Sequence, residues 1–300
     1  MLVLGCDFTS SPSKRKPIVV CEATLLPVNF NHGQNSLSTD KNTYSVLKVQ
    51  QLHSFISFAQ LLDYLKNLPA WVTGFDFPFG LPRQLVHDLA WPTTWLGAMQ
   101  HYTALSRADI RAQFKAYCDA RPVGQKFAHR ATDLIAKSSS SMKWVNPPVA
   151  YMMHAGVPLL LELNAQIVGL HQPINAKPFY ALEAYPGMLA RFWAGNKSYK
   201  SDDIQKQDMN RAKMRQSIIN GILLGYAPLD IQVQAPENIV LQMQNDGSGD
   251  SLDACLCAIS AAWALIQHLK GDYLWGLSAA LDLLEGEIIS APICCDNSFA

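Results

Sequence analysis

The chain opens on a short apolar run that stops at an acid, Leu2-Val3-Leu4-Gly5-Cys6-Asp7. A charge-free run of this kind suits a strand covered on both faces, whereas a half-solvated strand alternates apolar with polar residues. Such a sheet needs helices over each face, which points to an α/β protein. The run also leaves a carboxylate where the strand exits the core. Carboxylates are seldom fully buried unless paired or bound to a metal. Asp7 is therefore either a turn residue or a ligand held at the edge of a sheet.

Two further segments, Pro17–Leu26 and Thr43–Leu52, are rich in Val, Ile, Leu and Tyr and predict strands. The Asn/Ser/Gly-rich stretch Asn29–Lys41 between them reads as a loop. From Ser54 onward Phe55, Phe58, Leu61, Leu62 and Leu65 fall at helical spacing, with Ser54 or Ser57 as the cap. Trp71-Val72-Thr73-Gly74-Phe75-Asp76 is a second apolar run ending on aspartate. A crossover helix before it sets this strand parallel to the first, so Asp7 and Asp76 reach the same end of neighbouring strands. The following Phe77-Pro78-Phe79-Gly80-Leu81-Pro82 is a rigid turn, which either merely reverses the chain or orients Asp76.

From Arg83 to about Pro178 helical patterns dominate, as in Ser106–Ala120 and Val149–Leu163, and predict a helical insertion capping the sheet. Phe179–Pro186 is a fifth strand candidate with Glu183 near its end, followed by helices after Pro186 and over Asp208–Leu224. A long helix then opens at Asp250 and runs through Leu269, with Leu252, Leu256, Ile259, Trp263 and Ile266 as its apolar stripe. Asp250 and Asp253 share its first turn, either as cap and first-turn acid or as paired ligands. Glu285–Ile289 reads as a late edge strand. Residues 1–300 are expected to form a single domain, with the insertion at about 83–178.

Hydrophobic content of 49% against 16% charged residues excludes a disordered chain. Zero formal net charge gives no overall pull toward nucleic acid, but the charge is uneven. Arg107–Lys143 holds eight basic against three acidic residues, Arg191–Arg215 seven against three, and Asp246 to the end one against eight. These are solvated helix faces, or a cation-binding part beside polyanion-binding ones. The seven cysteines lack zinc-ligand spacing and read as reduced thiols of a cytoplasmic protein. No basic leader precedes the first strand, and no apolar stretch reaches the roughly eighteen residues a bilayer span needs.

Asp7, Asp76, Glu183, Asp250 and Asp253 thus all stand at the ends of elements. Clustered oxygen ligands without His or Cys suit Mg²⁺ or Mn²⁺. Two such ions about 3.5–4 Å apart can hold a phosphodiester and activate water. Arg130 either pairs with Asp133, three residues on, or meets a phosphate.

The order strand–strand–strand–helix–strand, with acids on strands one and four and an acidic final helix, resembles the ribonuclease H-like fold. Four local motifs, Gly5-Cys6-Asp7, Asp76-Phe77-Pro78-Phe79-Gly80-Leu81-Pro82, Glu183-Ala184-Tyr185-Pro186 and Asp250-Ser251-Leu252-Asp253-Ala254, resemble those of the domain of unknown function 429. That family is regarded as predicted nucleases related to the Holliday-junction resolvase type. The resemblance implies a mixed five-stranded sheet flanked by helices, with the insertion between strands four and five. It implies a metal-dependent nuclease in which Asp7 bridges two metals, Asp76 and Asp250 or Asp253 complete their sites, and Glu183 binds metal or orients water. Arg130, Lys213 and Arg215 would contact phosphates of a nucleic-acid substrate, DNA or RNA, with no membrane partner and with homodimerisation open. An ATP-using phosphotransferase of the actin and sugar-kinase superfold shares this strand order but needs glycine-rich phosphate loops, for which Asn245–Gly249 is the one candidate. A non-catalytic binding module with this fold would keep its carboxylates too far apart to share a metal.

Overall fold

Alternation along the strands sorts the core into two layers. Val3, Val19 and Val72 point to one face of the sheet, and Leu4, Val20 and Trp71 to the other. The computed structural model describes residues 2–26, 45–225, 228–291 and 294; the expected loop Asn29–Lys41 lies outside these.

In chain order the elements are β1 (Leu2–Asp7), β2 (Ile18–Leu25), β3 (Ser45–Phe55), α1 (Phe58–Asn67), β4 (Trp71–Phe75), α2 (Arg83–Asp88), α3 (Trp95–Ala104), α4 (Arg107–Asp119), α5 (Ala131–Ile135), α6 (Val149–Glu162), β5 (Gln166–Ile167), β6 (Phe179–Glu183), α7 (Pro186–Ala194), α8 (Met209–Leu224), β7 (Ile231–Gln234), α9 (Glu237–Asn245) and α10 (Asp250–Leu269). Ser57, not Ser54, caps α1, its hydroxyl accepting the Gln60 N–H. The strands form one mixed sheet in the order β5-β6-β4-β1-β2-β3-β7. β1 pairs antiparallel with β2 and parallel with β4. Helices α1–α4 and α6 pack on one face, and α7–α10 on the other.

Among the described residues the sheet has seven strands rather than five. β5 is two residues long and lies inside the expected helical insertion. β7, Ile-Gln-Val-Gln, alternates over only four residues near Pro228 and Pro236, too short for its pattern to register in sequence. The late edge strand does not form. Glu285–Ile289 is a series of turns with Gly286 at φ +71°, held to the sheet by the Ile289 N–H donating to the Glu183 carbonyl at 2.9 Å.

α10 is buried on every side from Asp250 to Ile266, not along one stripe. Among the described residues it is also the one helix long and apolar enough to cross a membrane, contrary to the sequence expectation. With 83% of its most apolar window inside the protein, it is the central core helix. Its seat is cut by two glycines. Gly5 and Gly74 face each other across β1 and β4. A Cβ on Gly5 would lie 2.0 Å from the Ala254 carbonyl oxygen and 2.1 Å from the Ala258 nitrogen; one on Gly74 would lie 2.5 Å from the Cys257 carbonyl oxygen. The helix backbone therefore rests directly on the sheet backbone. Gly5→Ala should force α10 off the sheet and destabilise the protein by at least about 2–3 kcal/mol, read as a lower urea midpoint. An unchanged midpoint would refute this packing.

Candidate metal centre

The same two glycines explain which acids meet. Asp7 and Asp76 each stand two residues after one of them, on the face that α10 covers. Because β1 and β4 are parallel, both carboxylates emerge at one end of the sheet. The first turn of α10 arrives over that end and brings Asp253. One oxygen from each of Asp7, Asp76 and Asp253 lies within 4.8 Å of the other two. Asp253 is wholly buried and accepts hydrogen bonds from the Tyr199 hydroxyl at 2.6 Å and from the Lys200 ammonium. The N-terminal end of α10 adds a partial positive charge beside the three acids.

Two of the five acids lie outside this triad. Asp250 is held by Lys16 Nζ at 2.7 Å, and the same ammonium reaches Asp202 at 2.7 Å. Glu183 is out of phase. It pairs in register with Phe75 and, like Phe179 and Ala181, leaves the sheet on the opposite face. There Arg130 grips it with two bonds, at 2.8 and 2.6 Å, and the Phe79 N–H donates to it at 2.9 Å. Glu183 thus pins the turn that follows Asp76 instead of joining Asp76.

The three basic residues expected to contact phosphate do not form a binding surface. Arg130 is buried between Asp133 and Glu183, so its pairing with Asp133 is the reading the structure supports. Arg215 is buried and donates to the carbonyls of Tyr199 and Gln244. Lys213 is exposed on α8 and lines neither of the cavities described below. Lys16, Tyr199 and Lys200 escaped the sequence reading. Lys200 lay inside a counted basic stretch, but no spacing distinguished it.

The crowding of acids has an electrostatic cost. Burial pushes the Asp7 carboxyl well above the usual carboxylate range, and the charges of Asp250, Asp253 and Asp76 add to this while Lys200 opposes it. Asp76 is pushed up to about 7, chiefly by burial, with Lys200 opposing and Asp253 adding. Burial also raises Asp250, against the pull of Lys16. On Lys200 burial works against the charge, yet Asp253, Tyr199 and Asp7 hold its ammonium well above the usual amine range.

A folded pKa of about 7 for Asp76, against about 3.9 unfolded, means that the folded state binds the extra proton between those values. The contribution of Asp76 to stability is therefore complete below about pH 4 and is lost as pH rises to about 7. A divalent cation competes with that proton. The rise in melting temperature given by Mg²⁺ should be slight near pH 6 and reach about 4–8 °C above pH 7.5 at roughly 100 times Kd. A shift independent of pH would contradict this.

Two cavities of about 520 and 550 Å³ open on either side of the cluster. Asp76, Pro147, Met152 and Lys200 belong to the walls of both, so together they make one cleft with Asp76 at its waist; Asp7 lines the 550 Å³ lobe, and the wholly buried Asp253 lines neither.

Fold and site define a mixed α/β protein carrying three convergent carboxylates able to hold a metal ion at one end of two inner strands of its sheet. The chain belongs to the family described as Protein of unknown function (DUF429), whose model matches residues 39–270. The match takes in Asp76, Glu183, Asp250 and Asp253, and begins after Asp7. No curated protein and no solved structure matches the chain.

Proposed function

We propose that this protein is a metal-dependent nuclease of ribonuclease H-like fold. The observation that carries the reading is the convergence of Asp7, Asp76 and Asp253 within 4.8 Å, with Asp7 and Asp76 lining an open cleft. The chain order of three strands, a helix and a fourth strand, with acids on β1, β4 and the long late helix, supports the fold. The donor set fits Mg²⁺ or Mn²⁺, because all three ligands are hard oxygens and one of them, Asp76, lines both cavities. A cation bound there would neutralise a phosphate oxygen and lower the pKa of bound water.

The residues of the chain divide the remaining work. Asp7 and Asp76 orient the site from the rigid sheet. Tyr199 fixes one oxygen of Asp253 and leaves the other facing Lys200. Lys200, common to both cavities, is placed to meet a negatively charged substrate group once a cation takes over its carboxylate partner. Asp250, next to Asp7 and balanced by Lys16, is the natural further ligand if a second ion binds.

One observation weighs against the ATP-using alternative. In the Asn245–Gly249 loop the N–H groups of Ser248 and Gly249 donate to the Asp246 carboxylate at 3.1 and 3.2 Å, and Ser251 N–H does so at 2.8 Å. A phosphate-binding loop offers such N–H groups to its ligand instead. The closeness of the three acids likewise disfavours a non-catalytic module. The test is cleavage of labelled DNA and RNA by the purified protein with Mg²⁺ or Mn²⁺. Cleavage abolished by EDTA is expected; no cleavage of any substrate would overturn the reading.

A further inference from the structure

The two halves of the cleft differ in chemistry. The 520 Å³ lobe is walled by Phe77, Pro78, Met152, Tyr185, Pro186 and Ile288. Ser139 and Asn196 stand on its rim with side chains that make no hydrogen bond among the described residues. The Tyr185 ring lies against Gly187, where a Cβ would sit 3.0 Å from the ring, and Arg191 stacks on it at 5.4 Å. The 550 Å³ lobe is lined instead by Thr9, Ser10, Ser13, Arg15, Lys16 and Gln207. Arg15 is exposed there and unpaired among the described residues. One lobe thus has an apolar, aromatic wall with free hydrogen-bonding groups and with Arg191 and Lys197 in its lining, and the other carries Arg15 and Lys16 beside Asp7, Asp76 and Asp202.

We infer that the substrate is an unpaired nucleic-acid strand, one of its bases seated against Tyr185 in the apolar lobe and its sugar-phosphate backbone running past the three carboxylates into the Arg15–Lys16 lobe. Each lobe has the volume of a small-molecule site. An apolar concavity with an aromatic side chain is what a splayed base needs for stacking, and the free Ser139 and Asn196 can meet its edge. A paired duplex keeps its bases in the stack and presents mainly phosphates, so it would leave this lobe unfilled. Basic groups that would track phosphate line the cleft itself: Arg15 and Lys16 in one lobe, Arg191 and Lys197 in the other, and Lys200 in both. This inference rests on the nuclease reading, and goes beyond it in naming the form of the substrate.

The experiment compares cleavage, with Mn²⁺, of one labelled 12-nucleotide sequence as a single strand and as a duplex, in DNA and in RNA. The expected result is a kcat/KM at least tenfold higher for the single strand. Tyr185→Ala should raise KM for it about tenfold while keeping the Mn²⁺-induced rise in melting temperature. Asn196→Trp, on the exposed rim, should block the lobe with the same pattern and without disturbing the core. Equal or faster cleavage of the duplex overturns the inference and leaves the nuclease reading standing, as does an unchanged KM in both variants. No cleavage of any form by the wild-type protein overturns both.

Discussion

Asp7→Asn is expected to abolish metal-dependent cleavage, by at least about 10²–10³-fold, and at the same time to make the metal-free protein more stable. The two effects share a cause. Asp7 is buried beside Asp76, Asp250 and Asp253, and the surroundings raise its pKa despite Lys200. Its ionised form is a liability in the absence of a cation. Asparagine keeps the shape and removes the repulsion, so the melting temperature without metal should rise by about 2–6 °C. The Mg²⁺- or Mn²⁺-induced rise should vanish with it. An acid that served only the fold would behave oppositely, losing stability on replacement. Loss of stability with cleavage intact would therefore remove Asp7 from the site.

The second large effect is expected at Arg130. Its guanidinium is 1% exposed and bonds Asp133 at 2.8 Å, Glu183 at 2.6 Å and the Glu285 carbonyl at 3.0 Å. These contacts join α5, β6 and the C-terminal turns. Arg130→Met leaves two carboxylates buried without their counter-charge, which costs about 3–5 kcal/mol, or roughly 10 °C in melting temperature. Adding Glu183→Gln should recover part of the loss, since it removes one stranded charge while keeping an acceptor for the Phe79 N–H. If Arg130 were a phosphate contact, the single variant would weaken substrate binding and leave stability alone.

How far the sequence could be read follows from which residues speak for themselves. The runs Leu2–Asp7 and Trp71–Asp76 carried their strand assignment, their parallel pairing and their acids, because a two-sided buried strand has a strong local pattern. The Leu-, Ile- and Trp-bearing positions of α10 did the same for the helix. What local pattern lacks is phase across the sheet. Glu183 ends an apolar strand as Asp7 and Asp76 do, yet its side chain leaves on the other face, a difference of one residue in register. The glycines two places before Asp7 and Asp76 were legible as letters, but their use as a seat for α10 is a tertiary fact. β7 was too short to stand out. The partners of the acids, Lys16, Tyr199 and Lys200, come from connecting segments whose sequence says nothing of where they return.

The most direct test of the central claim is a crystal of the wild-type protein soaked in Mn²⁺, with anomalous scattering collected to locate the metal. The expected result is a peak about 2.1–2.2 Å from an oxygen of each of Asp7, Asp76 and Asp253, with Lys200 displaced from Asp253. A map without a peak among these carboxylates, and with Lys200 still bonded to Asp253, would contradict it.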